Sequence, residues 1–414
     1  MSHPDPGGTP FTTAALTPDE LAELAVSEAG QHSPEAGQQS PVAGWSVTPI
    51  GYDWGSPATA GLWRVDVRVV REPGALATRS FFVKLLRHPR LWPGLAMLPD
   101  EQSRLGFVEY FPWRFELDMC TSGIEAALPP GLRMPVLHKV KHADAEHIAL
   151  WFEFVEQQPG RWQLADYRRA AYLLARLAAR RRDGAAVNAG LPAICRVGLP
   201  GESLRFYARN RMTHGTLPAL LDPELWRHPV IEAASRQVGD PSLAGDIREL
   251  ADRLPAILDM LAALPQTHAH GDASPQNLLR PAGEPGTLVV IDWGFGDLLP
   301  IGFDLGQLLV GLAHAGETDA DELAAIDAAI MPRYLDGLAD ERYDVDPALV
   351  RAGYLGGLTV RSALCALPLE QLSGVPTDEL VALFAARLRL TRVMVDLAKE
   401  VRPRPLARTP AGRV

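Results

Sequence analysis

Four side chains concentrate the chemistry available to this chain. His270, Asp272 and Asn277 fall within His270-Gly271-Asp272-Ala273-Ser274-Pro275-Gln276-Asn277, and Asp292 closes the apolar run Leu288-Val289-Val290-Ile291. A carboxylate on such a loop can orient a hydroxyl group and take its proton, the role expected of Asp272 in phosphoryl transfer. Asn277 offers a neutral oxygen and Asp292 a charged one, a donor set suited to magnesium, which prefers oxygen ligands and shares substrate phosphates. Asp272 alone could equally cap the following turn. An aspartate at the end of an apolar run is costly to bury unless it is paired or metal-bound, so Asp292 favours the metal role.

A cation is expected to meet the nucleotide phosphates from another part of the chain. Of 40 basic residues only Lys84, Lys139, Lys141 and Lys399 are lysine, so each lysine invites an explanation. Lys84 sits in the apolar run Phe81-Phe82-Val83-Lys84-Leu85-Leu86, where a compact ammonium suits the α- and β-phosphates of ATP. A lysine snorkelling from an edge strand would read the same way. Gly51-Tyr52-Asp53-Trp54-Gly55-Ser56 between the first two strands can bring backbone amides to phosphate, with Gly51, Gly55 and Ser56 as the expected contacts. The spacing departs from Gly-x-Gly-x-x-Gly, and a plain strand turn would use the same residues. The chain has no Gly-Lys dipeptide and therefore no Walker A loop.

The elements that must position these groups fall into two parts. Residues 1–16 are rich in Pro, Gly and Thr and read as unstructured; Thr17-Pro18-Asp19-Glu20 starts a helix that ends near Gly30, before a linker. Alternating apolar residues then give strands at Trp45–Gly51, Leu62–Val70 and Ser80–Leu86, and further strands near Val136–Val140 and His147–Val155, in an antiparallel sheet. A long connection over His88–Pro112 leads to a helix at Trp113–Ser122. From Leu164 onward the spacing is helical, interrupted by a hairpin whose turn is Pro281-Ala282-Gly283-Glu284-Pro285-Gly286. The division expected is an N-terminal extension over 1–44, a sheet-rich nucleotide-binding lobe over 45–156 and a helical lobe over 157–414.

The order His-Gly-Asp-x-x-x-x-Asn, then Ile291-Asp292-Trp293, then Gly302-Phe303-Asp304-Leu305, resembles the aminoglycoside phosphotransferase family of small-molecule kinases. The resemblance implies an α+β, two-lobed protein-kinase-like fold with an antiparallel-sheet N-lobe and a mainly helical C-lobe. It implies Asp272 as the base, His270 as support for its loop, Asn277 and Asp292 as magnesium ligands, and Asp304 as an anchor of the loop. Asp304 could equally be a helix N-cap. Lys84 resembles the strand lysine of the family, whose carboxylate partner is best matched by Glu116, with Glu109 and Asp118 as rivals. Leu150–Glu156, including Glu153, resembles the hinge whose backbone meets adenine. ATP and Mg2+ are the implied cofactors and a small-molecule hydroxyl compound the implied acceptor.

Two other readings remain. A kinase-like module that binds nucleotide without turnover would keep the fold but lose one of these groups, and none is lost. A zinc-dependent hydrolase could use His268, His270 and Asp272, although Ala273 stands where a further histidine ligand is needed. A net charge of −10 speaks against general nucleic-acid binding, and no apolar run is long enough for a membrane span. Cys120, Cys195 and Cys365 are scattered and odd in number, which with the unremarkable N-terminus gives a cytoplasmic expectation. Glu317, Asp319, Asp321, Glu322, Asp340, Glu341, Asp344 and Asp346 could attract a cationic aminoglycoside or be ordinary helix faces.

Overall fold

Trp63, Val65, Val67 and Val69 alternate along one strand and are all buried, so one face of that strand must be covered by something apolar. The cover comes from residues expected to be unstructured and from the helix expected to start at Thr17. In this computed structural model, which describes residues 10–27, 42–51, 56–72, 75–98, 100–183 and 199–402, helices α1 (Phe11–Ala14) and α2 (Pro18–Ser27) bring Ala14, Leu16, Leu21 and Leu24 onto that face. The reading of residues 10–16 as unstructured is therefore corrected. Phe11 meets the rings of Trp45, Trp63 and Trp151, and the Trp151 indole N–H donates to the Ala14 carbonyl at 3.1 Å. Proline and threonine near the terminus mask an aromatic anchor whose partners are far away in sequence. Residues 1–9, Gly30 and Cys195 lie outside the described residues.

The strand belongs to a five-stranded antiparallel sheet, ordered β1-β2-β3-β6-β5, of β1 (Val42–Pro49), β2 (Thr59–Glu72), β3 (Ala75–Arg87), β5 (Leu137–His142) and β6 (His147–Glu153). A two-residue β4 (Leu132–Arg133) precedes β5 in the chain but joins a different sheet. On β3, Val83 and Leu85 point to the face covered by α1 and α2. Phe82 and Leu86 alternate to the opposite face, against Trp113 and Leu117. Lys84 shares that second face by the same alternation. The connection before it contains an unforeseen helix α3 (Glu101–Tyr110), started by Asp100, whose carboxylate accepts from Ser103 N–H at 2.6 Å. Helix α4 (Phe115–Cys120) follows.

Contacts divide the chain into two units. One comprises the residues up to Thr121 with Met134–Gln157, and the other Ser122–Arg133 with the residues from Gln158 onward. The second is mainly helical. It contains α5 (Leu164–Arg180), α6 (Glu202–Tyr207), α7 (Leu217–Leu221), α8 (Pro229–Val238), α9 (Leu243–Ala263), α10 (Asp304–Ala315), α11 (Leu323–Asp340), α12 (Pro347–Leu358) and α13 (Asp378–Lys399). Helix α6 continues as a π-helical segment over Ala208–Thr216, and α12 as another over Thr359–Ala363. Two small sheets sit among these helices: β7 (Gln266–Ala269) pairs with β10 (Asp297–Pro300), and β4, β9 (Leu288–Val290) and β8 (Leu278–Leu279) form a second. The fold is thus α+β, an antiparallel-sheet unit and a mainly helical unit, as expected. No helix among the described residues is long and apolar enough to cross a membrane.

Candidate active site

The small sheets of the helical unit fix the loop between them. Strand β7 delivers His270, and β8 pairs with β9 in the register Leu278↔Val290. The Ile291 N–H then donates to the Asn277 carbonyl at 3.0 Å, which places Asp292 one residue beyond Asn277's ladder partner. Asp292 adopts φ 57°, ψ 65°, a left-handed conformation uncommon for a residue with a side chain. Such a backbone costs about 1–3 kcal/mol and persists only where the surroundings impose it.

Asp304 secures the other end of the loop. Its carboxylate, 5% exposed, accepts from the His270 N–H at 3.1 Å and the Gly271 N–H at 2.8 Å. It is the first residue of α10, which starts from Phe303, so Asp304 holds the loop and is not the cap of its own helix. Burial raises its carboxyl pKa, while His270 and the two N–H donors pull against that shift. Gly271 has φ 82°, and a Cβ there would lie 2.1 Å from the Phe295 carbonyl oxygen. That contact explains why His270 and Asp272 are separated by glycine.

His270 is fully buried and its ring is engaged on both sides. Nδ1 accepts the Asp272 N–H at 3.2 Å, and Nε2 lies 2.9 Å from the Ile291 carbonyl oxygen. A carbonyl can only accept, so the ring proton is on Nε2. Neither nitrogen is left to bind a metal, and among the described residues no group of three or more His, Cys, Asp or Glu is arranged to hold one. The zinc-hydrolase reading is corrected on this ground.

Asp272 therefore presents its carboxylate from a doubly tethered backbone. The Ser274 N–H bonds the Asp272 carbonyl at 2.8 Å, so it is the main chain and not the side chain that closes the turn. The Asn277 amide nitrogen donates to the same carbonyl at 2.8 Å, which fixes its other end as an oxygen donor. The Asp272 carboxylate keeps 24% exposure and lies 3.4 Å from the Arg361 guanidinium. Burial raises its pKa; Arg361 opposes that shift and the charge of Asp292 adds to it. Arg361, in the segment after α12, is stacked between Phe295, 4.2 Å from its ring centroid, and Tyr207, at 4.8 Å. Sequence reasoning missed this residue. The signal was present: Arg361 is the lone charge between Arg351 and Glu370 in an apolar helical stretch.

In the sheet unit, Lys84 Nζ lies 2.5 Å from Glu116 Oε2, with side chains only 8% and 12% exposed. Helix α4 lies against the β3 face that carries Lys84, and Glu116 occurs one residue before Leu117, which anchors the helix there. The other lysines also have partners: Lys139 with Glu20 at 2.9 Å, Lys141 with the Ala15 carbonyl and Lys399 with Asp246 at 2.9 Å. Gly51 and Ser56 flank the expected phosphate loop, and Gly55 lies outside the described residues. The Ser56 hydroxyl accepts from the Thr59 N–H at 3.3 Å and orders the start of β2. At the expected hinge, the Glu153 N–H donates to Val136 at 2.9 Å and the Phe154 N–H to Ser80 at 3.2 Å. These two donors are engaged within the sheet unit, so a base at this edge would meet the backbone beyond them or the carbonyls.

A loop carrying a carboxylate with an amide and a second carboxylate close in the chain, together with a lysine–glutamate pair buried in a sheet, is the arrangement expected of a phosphotransferase. The model of the phosphotransferase enzyme family, APH, matches residues 124–342, and the chain belongs to that family. No curated protein matches it. Similar solved structures include an aminoglycoside phosphotransferase from Alicyclobacillus acidocaldarius, 12% identical over 81% of this chain and 90% of that one, with a TM-score of 0.45. An aminoglycoside phosphotransferase from Streptomyces rimosus, in complex with ADP and streptomycin, is 17% identical over 83% and 97%, with a TM-score of 0.38. An ethanolamine kinase from Plasmodium vivax is 11% identical over 90% and 86%, with a TM-score of 0.41.

Proposed function

We propose that the chain transfers the γ-phosphoryl group of ATP to a hydroxyl of a small molecule. In this reading the Asp272 carboxylate orients the hydroxyl and accepts its proton as the oxygen–phosphorus bond forms. The bond from the γ-phosphorus to its bridging oxygen breaks in the same step, and ADP leaves with that electron pair. His270 and Asp304 hold the loop so that Asp272 stays oriented. Lys84, steadied by Glu116, supplies positive charge to the nucleotide phosphates, and the turn bounded by Gly51 and Ser56, with Gly55, covers them. The backbone around Glu153 meets the base.

Asn277 and Asp292 fit a magnesium ion: both are hard oxygen donors, the Asn277 amide nitrogen is already committed elsewhere, and the Asp292 backbone is held in an uncommon conformation. When bound there, the ion would neutralise charge on phosphate oxygens. The observation that carries the proposal is the pinning of the Asp272 segment through its own backbone by His270, Asn277 and Asp304, with its carboxylate left to act.

Replacing the base tests it. Asp272→Ala should lower turnover ~100- to 10,000-fold, the range for loss of a general base, while nucleotide affinity stays near that of the wild type. The measurement is ATP consumption across a panel of hydroxyl acceptors beside nucleotide titration. Unchanged turnover would remove Asp272 from the mechanism.

A further inference from the structure

Arg361 is a cation whose place is set by more than its carboxylate partner. Its side chain is 11% exposed, with Asp272 Oδ1 lying 3.4 Å from its Nη2. The guanidinium carbon is 4.2 Å from the centroid of the Phe295 ring and 4.8 Å from that of Tyr207. A planar, delocalised guanidinium stacks on aromatic faces, so the two rings hold it independently of Asp272.

The backbone that carries it is pinned as well. The Tyr207 hydroxyl donates to the Arg361 carbonyl at 3.3 Å, the Gln307 amide to the Ser362 hydroxyl at 3.0 Å and the Thr216 hydroxyl to the Leu364 carbonyl at 2.7 Å. Gln307 is on α10, the helix whose first residue, Asp304, accepts from the His270 and Gly271 N–H groups. Phe295 also serves twice: its carbonyl oxygen abuts Gly271, and its ring carries Arg361. The backbone before Asp272 and the partner of the Asp272 carboxylate are thus fixed by the same two elements.

Stability is a poor reason for this arrangement. A buried ion pair repays its desolvation only where the contact is close and the remaining donors are met. Here the contact is longer than the about 2.7–2.9 Å of a charge-assisted hydrogen bond, and the Arg361 Nε–H is buried without a partner. What the arrangement secures is direction: a carboxylate with one oxygen facing a fixed guanidinium has its other oxygen turned away from it.

We infer that Arg361 is a positioning residue for phosphoryl transfer, holding Asp272 Oδ1 from its clamp of two rings and leaving Oδ2 to receive the acceptor's proton. The inference rests on Asp272 being the base. In that step the acceptor O–H bond breaks, the proton goes to Oδ2 and the oxygen forms its bond to the γ-phosphorus. The bond to the bridging oxygen breaks, and ADP leaves with that electron pair. Arg361 contacts neither ATP nor acceptor in this scheme, so its loss falls on kcat and not on KM.

The test follows ADP formation from MgATP by the full chain with water, glycerol, glucose or serine as acceptor, and uses the one that gives the fastest wild-type turnover. Arg361→Ala should lower kcat about 100-fold, the scale for a misplaced reacting group, at unchanged KM for ATP. Arg361→Lys keeps the charge without the planar face and should recover little of the loss. Methylguanidinium added to Arg361→Ala should restore part of kcat, methylammonium should not, and neither should help Asp272→Ala. An arginine that only stabilised the fold would leave kcat unchanged well below the melting temperature.

Phe295→Leu keeps the test decisive if Arg361→Ala does not fold. It removes one ring of the clamp, and because that ring is 40% exposed the melting temperature should barely change. Its kcat should fall about 3- to 30-fold, the scale of a lost cation–π contact. Wild-type kcat in Arg361→Ala, or in Phe295→Leu where the first variant does not fold, would overturn the inference, as would equal rescue by the two cations. If Asp272→Ala lost turnover while Arg361→Ala did not, the positioning role alone would fall. Wild-type turnover in Asp272→Ala would remove the base assignment and this inference with it.

Discussion

Replacing Gly271 by alanine would build a methyl group 2.1 Å from the Phe295 carbonyl oxygen and 2.7 Å from its carbon, at a residue whose φ is 82°. Carbon atoms in contact normally sit about 3.5–4.0 Å apart, so one of the two backbones must move by roughly 1 Å. A left-handed conformation costs a residue with a side chain about 1–2 kcal/mol, and overpacking typically adds about 1–3 kcal/mol. The sum, roughly 2–5 kcal/mol, corresponds to a fall in melting temperature on the order of 10 °C for a unit of this size.

The activity loss should be larger than the stability loss implies. Gly271 directly precedes Asp272, and a displacement of about 1 Å at a reacting group can lower turnover ~100-fold. Gly283→Ala is the control: it lies in the hairpin turn with no heavy atom within 4 Å of the added methyl and no positive φ. Its effect should stay within about 0.5 kcal/mol. Calorimetric melting and ATP consumption are measured on both variants with the same acceptor. If Gly271→Ala behaved like Gly283→Ala in both assays, the close approach of the loop to Phe295 could not be what sets the position of Asp272.

Two further perturbations probe the same unit. Asp304→Asn keeps the size but sets an amide N–H2 against one of two buried N–H donors; orphaning that donor should cost about 1–3 kcal/mol, less the relief of a buried charge. A lower denaturant midpoint at unchanged m-value, with turnover reduced more than stability, is the expected pattern, and an unchanged midpoint would show that the loop does not depend on this anchor. His314 has its pKa lowered from 6.5 to about 4, so between those values the unfolded chain binds more protons than the folded one and stability falls as pH falls. The loss begins as pH drops through the unfolded value, levels off near the folded one and amounts to at most about 3 kcal/mol. Subtracting the unfolding free energy of His314→Gln from that of the wild type at each pH should expose this slope, and a flat difference would count against it.

The sheet and the helical unit were legible because their signals are local. Period-two alternation marks β2 without any knowledge of its neighbours, and helical spacing marks α5 in the same way. The loop was legible for a related reason: Asp272 and Asn277 are five residues apart and the hairpin brings Asp292 beside them, so sequence distance stands in for spatial distance. What escaped depends on long-range packing. Helix α1 owes its place to Trp63 and Trp151, and a Pro- and Thr-rich opening gives no hint of that, although the helix after it was marked by its capped start at Thr17. Helix α3 has no buried residue, so it has no apolar stripe to recognise. Arg361 reaches Asp272 from the far end of the unit through stacking on two aromatic rings, a relation that no spacing rule encodes.

The charges around the loop would favour the cation proposed for it. Asp272 is raised by burial and by Asp292, and Asp304, itself raised by burial, feels the charge of Asp272 as well. Three carboxylates therefore work against one another in a partly buried place, and Arg361 is the guanidinium set against the first of them. Each added opposite charge near Asp292 lowers the cost of keeping Asp272 ionised, and ionisation is what a proton acceptor requires. Asn277 contributes oxygen without adding a fourth negative charge. An aspartate at position 277 would bind a cation more tightly in isolation but would push the Asp272 pKa further up. In the proposed reading a neutral Asn277 would thus separate two demands on one loop: holding positive charge and keeping Asp272 deprotonated.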